Sequence, residues 1–432
     1  MRLLKGVWGA FGCVVLVAGC GFPQPARVGD DGLSSDGGPG SDAQPAANPI
    51  CEPNQALRCS PGALVRCNAD GTAEVSESCL MGCSTAELRC KDVTPSNGLA
   101  PQLDMTTDVP DLDLGMNATI DTDSGTVVVD GNPIVVRHAV VEQSPAPSIG
   151  VFIVRSLTAR DVIVTGKSAL AFVSHGDLTI LGKLTLSGHN DVPGPGAFNE
   201  PSCVGGDTLI VGTQAIGGPG GGGFGRAGGE GGDATTVDGT SQGGAGGNPT
   251  GSPGLVPLRG GCSGGRIGGK GFGGVAGGAV QLVSRTRITI SGVVAANGVS
   301  GIGGGSGGGI LLESPIVEVT GNVVANGGAG SGGCLLPMPG ENGRLDALPA
   351  AHGVGCQGDV NGGGADGGDG GARDVNALRG RDFDSSGTGG FIAYGGHGGG
   401  GVGRIRVNTV PGGLHATGIF SPTPTTGELG SR

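Results

Sequence analysis

Aromatic side chains are almost missing from this chain: they make up 3% of its 432 residues, with one tryptophan, Trp8, and one tyrosine, Tyr394. A ring-rich core is therefore excluded, and any interior has to be assembled from Val, Ile, Leu and Ala. Charge is scarce as well, at 14% of residues against 36% apolar, which excludes a chain held open by its own repulsion. Basic residues number 25 and acidic ones 37, a formal net charge of −12; that field opposes binding to a phosphate backbone, so no nucleic-acid partner is expected. An apolar run long enough to cross a bilayer of about 30 Å as a helix is also lacking. In place of these the chain has 99 glycines, 27 prolines and 12 cysteines.

The N-terminus reads as an address. MRLLKGVWGAFGCVVLVAGC opens with Arg2 and Lys5, continues apolar from about Gly6 to Ala18 and ends in small residues, the pattern of a secretory signal over residues 1–19. Val17-Ala18-Gly19-Cys20 resembles the bacterial lipobox, which implies cleavage before Cys20 and lipidation of its thiol. Gly21 follows the cysteine, and by the sorting rule of Gram-negative bacteria a residue other than Asp there implies the outer membrane. Residues 20–50, rich in Gly, Pro, Ser and Asp, read as a flexible tether.

Six cysteines follow within forty residues: Cys51, Cys59, Cys67, Cys79, Cys83 and Cys90. In an exported chain so short a segment builds a disulfide scaffold, because it cannot bury an adequate core, and residues 51–91 form such a module. Which of fifteen pairings occurs is left open by the sequence. Zinc is disfavoured, since there is no CxxC spacing and no histidine between Cys51 and Cys90. Cys203, Cys262, Cys334 and Cys356 remain and are expected to form two further bridges within glycine-rich stretches, again with pairing open. Residues 92–116 read as a linker.

Internal repetition decides what the rest is. AVQLVSRTRITISGVVAANG from Ala279 and GILLESPIVEVTGNVVANG from Gly309 match with Gly292, Asn297 and Gly298 displaced by 29 residues onto Gly321, Asn326 and Gly327. ALAFVSHGDLTILGKLTLSG from Ala169 is a third copy, its Gly182 and Gly188 falling on the same positions. Leu178, Ile288 and Val317 align, as do Ile180, Ile290 and Val319, with Thr179, Thr289 and Glu318 between them: period-two strands with one face buried. The glycine between strands permits a bend, and Asn-Gly suits a left-handed turn. TVVVDGNPIVV from Thr126, FIVRSL from Phe152, DVIVTG from Asp161 and GRIRVNT from Gly403 fit as further turns. The expected fold is all-β, a parallel β-helix-like solenoid over residues 117–432, with unrelated hairpins of a β-sandwich as the rival.

Two glycine-rich excursions, near 189–278 and 328–402, interrupt the repeats. Of the 62 residues from 217 to 278, 29 are glycine, leaving little to bury; disorder is expected, ahead of bundled polyproline-II-like glycine helices.

Catalytic chemistry is hard to place. GGEGGD at 228–233 fits the first six positions of a calcium-binding nonapeptide, but Thr235 stands where an apolar residue belongs and no tandem copy follows, so calcium is weakly supported. GGRIGGKG from Gly264 lacks the Ser or Thr of a phosphate loop at Gly271. His138, His175, His189, His352, His397 and His415 show no metal spacing and read mostly as loop or surface residues. The outward positions Thr179, Thr289 and Glu318, then Leu181, Ser291 and Thr320, hold no carboxylate cluster, nor does the column of Asp177, Arg287 and Ile316. No catalytic or metal residue and no cofactor is assigned.

The whole plan, a lipobox, a cysteine module of the CEPNQALRCSPGALVRCNADG type and glycine-rich β-repeats ending like GRIRVNT, resembles predicted myxobacterial surface lipoproteins. That resemblance implies export and architecture and supplies no active site. The expected role is a lipid-anchored protein of the outer membrane or cell surface, structural or adhesive, in contact with polysaccharide or matrix protein; the alternative is a polysaccharide lyase or hydrolase.

Overall fold

The computed structural model describes residues 49–208, 214–269, 271, 273–356, 362–386 and 392–432; the expected signal, Cys20 and the tether up to residue 48 lie outside the described residues. Three sheets carry most of the strand, and the chain visits them in a fixed order. Ile149–Val154, Ser156–Ala159 and Val162–Thr165 make one pass, and Ala169–Ser174, Leu178–Ile180 and Lys183–Thr185 the next. Ala279–Ser284, Arg287–Ile290 and Val293–Ala295 follow, then Gly309–Glu313, Ile316–Val319 and Asn322–Val324, then Arg404–Thr409, Leu414–Ala416 and Ile419–Ser421. The first strand of each pass joins a seven-stranded sheet, the second a six-stranded one and the third an eight-stranded one. Strands of successive passes pair in parallel, Leu178 with Ile288 and Ile288 with Val317, so the sequence repeat sets the register.

Burial explains why the strands differ. Those of the six-stranded sheet alternate, as in Arg287–Ile290, where Ile288 and Ile290 point in and Arg287 and Thr289 out. The central strands of the seven-stranded sheet are buried throughout, as in Ile149–Val154 and Ala169–Ser174, and read as largely apolar runs because both faces are covered. Their inner side joins the core between the sheets, where Phe152 and Phe172 lie 5.8 Å apart among Leu170, Leu282, Ile310 and Ile405. Each such aliphatic side chain contributes about 1.5–3 kcal/mol on burial. The outer side packs under Leu99, Leu103, Val109, Leu255 and Leu258.

That cover revises the linker expected at 92–116. Residues 92–110 form a strap crossing the seven-stranded sheet: Asp92 and Thr94 hydrogen-bond Arg432 and Gly430, Ser96 bonds Glu313 at 2.7 Å, Asn97 bonds Gln281 at 3.0 Å and Thr107 accepts from Arg137 at 2.8 Å. Glu313 is buried and also accepts from Gln281 and Asn408. The strap then becomes strand Asp111–Leu114, followed by Ala118–Asp121, so the stacked strands begin before residue 117. TVVVDGNPIVV, expected as a further turn, is instead an antiparallel hairpin, Val127–Val129 with Asn132–Ile134. Asp130 and Gly131 both have positive φ, 48° and 80°, the backbone that a two-residue Asp-Gly hairpin turn requires.

The bend glycines matter for a reason other than conformation. A Cβ on Gly292 would collide with the carbonyl oxygen of Gly182, and one on Gly321 with that of Gly292, because successive passes bring their backbones into contact there. Asn297 and Asn326 do not take the expected left-handed conformation. They stack: the backbone N–H of Asn326 donates to Asn297 Oδ1 at 2.8 Å, the backbone N–H of Asn297 to Ser187 Oγ at 2.9 Å, and Ser421 Oγ to Asn326 Oδ1 at 2.6 Å.

The excursions overturn the expectation of disorder across their described residues, because they pack against one another as backbone. Residues 217–225 sit in the middle. Gly218 and Gly221 donate to Gly232 and Gly229; Gly220 and Gly223 donate to Gly206 and Cys203; Gly222 and Gly225 donate to Gly304 and Val402. In the first two pairs residues three apart address the same neighbouring segment, the period of a polyproline-II-type helix, which leaves its own amides free to bond outward. Carbonyls of the same segment accept from Gly244 and Gly247, from Gly265, and from Gly398 and Gly401, so six segments surround it. Toward the periphery one residue in three turns outward, and Glu230, Ala245 and Asn248 are exposed between buried glycines.

Candidate functional site: the outer face of the six-stranded sheet

With the seven-stranded sheet covered, the six-stranded sheet offers an outward parallel face whose side chains are half-buried along its middle. Its pairing brings Asp113, Thr158, Thr179, Thr289, Glu318 and His415 into one column, one residue per strand. At about 4.8 Å between strands the column is about 24 Å long. Three of its six members are threonine, presenting hydroxyls that both donate and accept. Its two acids stand at opposite ends of the threonines and are paired, Asp113 with Arg160 at 2.5 Å and Glu318 with Arg287. Asp177, beside the column, accepts from Thr286 Oγ1 at 2.6 Å. The column can hold a ligand by hydroxyl hydrogen bonds and two clamped charges; it does not bring two carboxylates together for acid and base work.

The cysteine module is a three-stranded antiparallel sheet, Ala56–Ser60, Ala63–Cys67 and Glu74–Ser78, plus the short pair Cys83–Ser84 and Arg89–Cys90. Its bridges are Cys51–Cys67, Cys59–Cys83 and Cys79–Cys90. They hold it where only Leu64, Val65 and the sulfurs of Cys67 and Cys79 are buried. A fourth bridge, Cys203–Cys262, lies inside the glycine bundle. Beside it the buried Arg259 donates to Glu200 Oε1 at 2.5 Å and lies 4.9 Å over the Phe198 ring. Burial pushes the Glu200 carboxyl up, but hydrogen bonds from Thr250 and Arg259 outweigh it and hold the group below its ordinary value.

Cys334 and Cys356 depart from the expected fifth bridge: both are free thiols. They are hydrogen-bonded neighbours, and burial followed by the Cys356 contact pushes the Cys334 thiol up to about 12. Cys356 Sγ also lies 3.3 Å from the carbonyl of Gly333. Tyr394 is next to both, its phenol raised by burial and by the two sulfurs.

His397, expected as a loop or surface residue, is fully enclosed by the glycine bundle with no partner for Nδ1, and burial lowers it to about 4. His352 takes a different position, its Nδ1 lying 2.5 Å from Asp369 Oδ1. The segment 228–233 does not stand free as a cation loop: its glycines pack in the bundle, and Asp233 Oδ1 accepts from the Gly243 amide at 2.8 Å and lies 3.5 Å from Arg379. Among the described residues no helix is long and apolar enough to cross a membrane. No protein-family model, curated protein or solved structure matches this chain.

Sequence reasoning placed the column of Thr179, Thr289 and Glu318 correctly and missed its extension to Asp113, Thr158 and His415, which lie in strands outside the obvious repeats. It ranked the glycine bundle second to disorder, although the GGX spacing of GGEGGD and GGADGGDGG carried the period of three.

Proposed function

We propose that this chain is a lipid-anchored cell-surface protein, held through Cys20, whose stacked strands form a β-helix-like solenoid serving in contact with extracellular polysaccharide or matrix. The observation that carries the reading is the outward-facing column of Asp113, Thr158, Thr179, Thr289, Glu318 and His415, half-buried along its middle and exposed at its ends, with its acids kept apart and paired. A stacked scaffold suits many weak contacts along its length. The four disulfides and the small module suit an oxidising location outside the cytoplasm.

The test exposes the oxidised full chain to immobilised neutral and acidic polysaccharides and scores retention and release of new chain ends. Retention without new ends, weakened at least threefold by combining Thr158→Val, Thr179→Val and Thr289→Val, is the expected result. New ends that vanish when the protein is boiled overturn the contact reading in favour of polymer cleavage. A separate assay of the cell envelope, with Cys20→Ala released from the membrane fraction, tests the anchor.

A further inference from the structure

Most arginines here are matched by acids, as expected in a chain of net charge −12: Arg259 with Glu200, Arg226 with Asp374, Arg285 with Asp92 and Arg287 with Glu318. Strand Arg404–Thr409 breaks the pattern. Among the described residues Arg404 bonds the Thr250 carbonyl through Nε at 3.1 Å and lies 5.6 Å over the Phe224 ring, with no acidic partner. Arg406 bonds Asn408 Oδ1 through Nε at 2.7 Å and likewise has none. Two residues apart on one strand, they face the same side about 7 Å from each other. Both are half-buried.

Arg404 also lines a pocket of about 130 Å³ with Arg226, Asp374, Pro253, Thr423 and Thr425; Asp374 is paired with Arg226 at 3.3 Å, which leaves Arg404 as the unmatched charge of the wall. The pocket lies at the seam where residues 402–405 leave the glycine bundle to begin the last pass. It is well below the roughly 300 Å³ needed to enclose a whole drug-sized ligand, so it fits one charged group and the edge of what carries it. Burial and the nearby Arg259 push the Arg404 guanidinium down from its ordinary value, yet it stays a cation at neutral pH. A half-buried guanidinium with free terminal nitrogens is a fork suited to a carboxylate. Thr423 and Thr425 add hydroxyl oxygens at the wall.

We propose that this seam is a carboxylate subsite in which Arg404, with Arg406 beside it, holds the acid group of an acidic saccharide. The choice of a saccharide as carrier rests on the proposed contact function; the carboxylate rests on the arginines alone. The net negative charge of the chain opposes such a ligand at long range, but screening limits that field to about 8 Å at physiological salt, and at the seam the one lining acid, Asp374, is offset by Arg226, leaving Arg404 and the neighbouring Arg406 in excess.

Calorimetric titration of the oxidised full chain with D-glucuronate, D-glucose and acetate tests it. Saturable glucuronate binding is expected, with glucose silent and acetate at least fivefold weaker. Arg404→Gln should weaken glucuronate tenfold or more, Arg406→Gln threefold, and Arg404→Lys an intermediate amount because it keeps charge and loses the fork. Unchanged affinity in Arg404→Gln overturns the proposal, and acetate binding as tightly as glucuronate overturns the saccharide. Should Arg404→Gln fail to fold, arginine-directed labelling of the unaltered protein decides: glucuronate should shield Arg404 from phenylglyoxal, and equal labelling with and without it overturns the proposal. Polymer retention unaffected by Arg404→Gln sinks the subsite and leaves the contact reading standing. Glucuronate bound at Arg404 with no polymer retained does the reverse.

Discussion

The stacked sheets and the glycine bundle fill their interiors by opposite means. In the stack, side chains fill space: Phe152, Phe172, Leu282 and Ile310 occupy the gap between three sheets, and backbone groups pair at the sheet spacing. In the bundle, backbone fills space. A side chain at Gly221 would strike the Gly399 carbonyl, one at Gly222 that of Cys262 and one at Gly223 that of Gly247. The stack draws on apolar burial; the bundle draws on hydrogen bonds of about 1 kcal/mol each against the large entropy of ordering glycine. The stack should therefore tolerate lost volume moderately, and the bundle should tolerate added volume hardly at all.

Gly221→Ala is the most severe test of that contrast. Its added methyl would run into the backbone of Gly399 and Gly400, which has no flexible end to give way, and a loss above about 4 kcal/mol is expected, read as a fall in the denaturation midpoint. Leu282→Ala, deleting far more matter from the stack, should cost about 2–5 kcal/mol. If the glycine variant is the milder of the two, the contrast fails.

Next comes the Cys203–Cys262 bridge, whose 59-residue separation removes about 4 kcal/mol of unfolded-chain entropy. In Cys203→Ser with Cys262→Ser, amide exchange should quicken at Gly220 and Gly223 while Phe172 and Leu282 keep their protection. Uniform quickening would mean that the two regions unfold as one.

His397 gives a pH signature specific to the bundle. Its ordinary value is 6.5 and burial lowers it to about 4, so between these limits the unfolded chain takes up a proton that the folded chain refuses. The stability it contributes is whole above pH 6.5 and should fall by about 3 kcal/mol as the pH drops to 4. His175, lowered by burial and then by Arg285, acts in the same sense. His397→Ala should flatten the slope of unfolding free energy between pH 6.5 and 4.5; an unchanged slope would remove the histidine from the account.

The smallest effects belong to the margins. Ala245→Ser, at an outward position, should shift stability by less than about 0.5 kcal/mol. Differential alkylation mapped by mass spectrometry should find Cys334 and Cys356 both labelled after denaturation, and Cys334 slow in the native state because its thiolate is suppressed. Absence of label at both would mean that they have closed a fifth bridge.

Much of the stack could be read from the chain because apolar residues report on themselves: the alternation at Leu178, Ile288 and Val317 is both the repeat and the buried face. The strap could not, since Leu99, Leu103 and Val109 are too few and too scattered to form a period, and only their partners across the sheet give them meaning. The bundle could be named only as the second choice, for the converse reason. Glycine carries no side chain whose pattern marks an interior, and the signal lay in the outward third residue, as at Glu230, Ala245 and Asn248. The candidate column fell between these cases. Its repeat positions were visible, whereas Asp113 and His415 sit in strands that share no motif with the copies.

The strap has a mechanical consequence. A pull arriving from residue 49 first loads three disulfides and then the short antiparallel contact where Val93 faces Ser431. Beyond it the tension divides between the strap, sewn to successive strands by Ser96, Asn97 and Thr107, and the closing strand Thr425–Glu428, which grips the last pass. Force therefore enters the body at both ends of the seven-stranded sheet and is spread along its width, so that no single strand has to be peeled away alone.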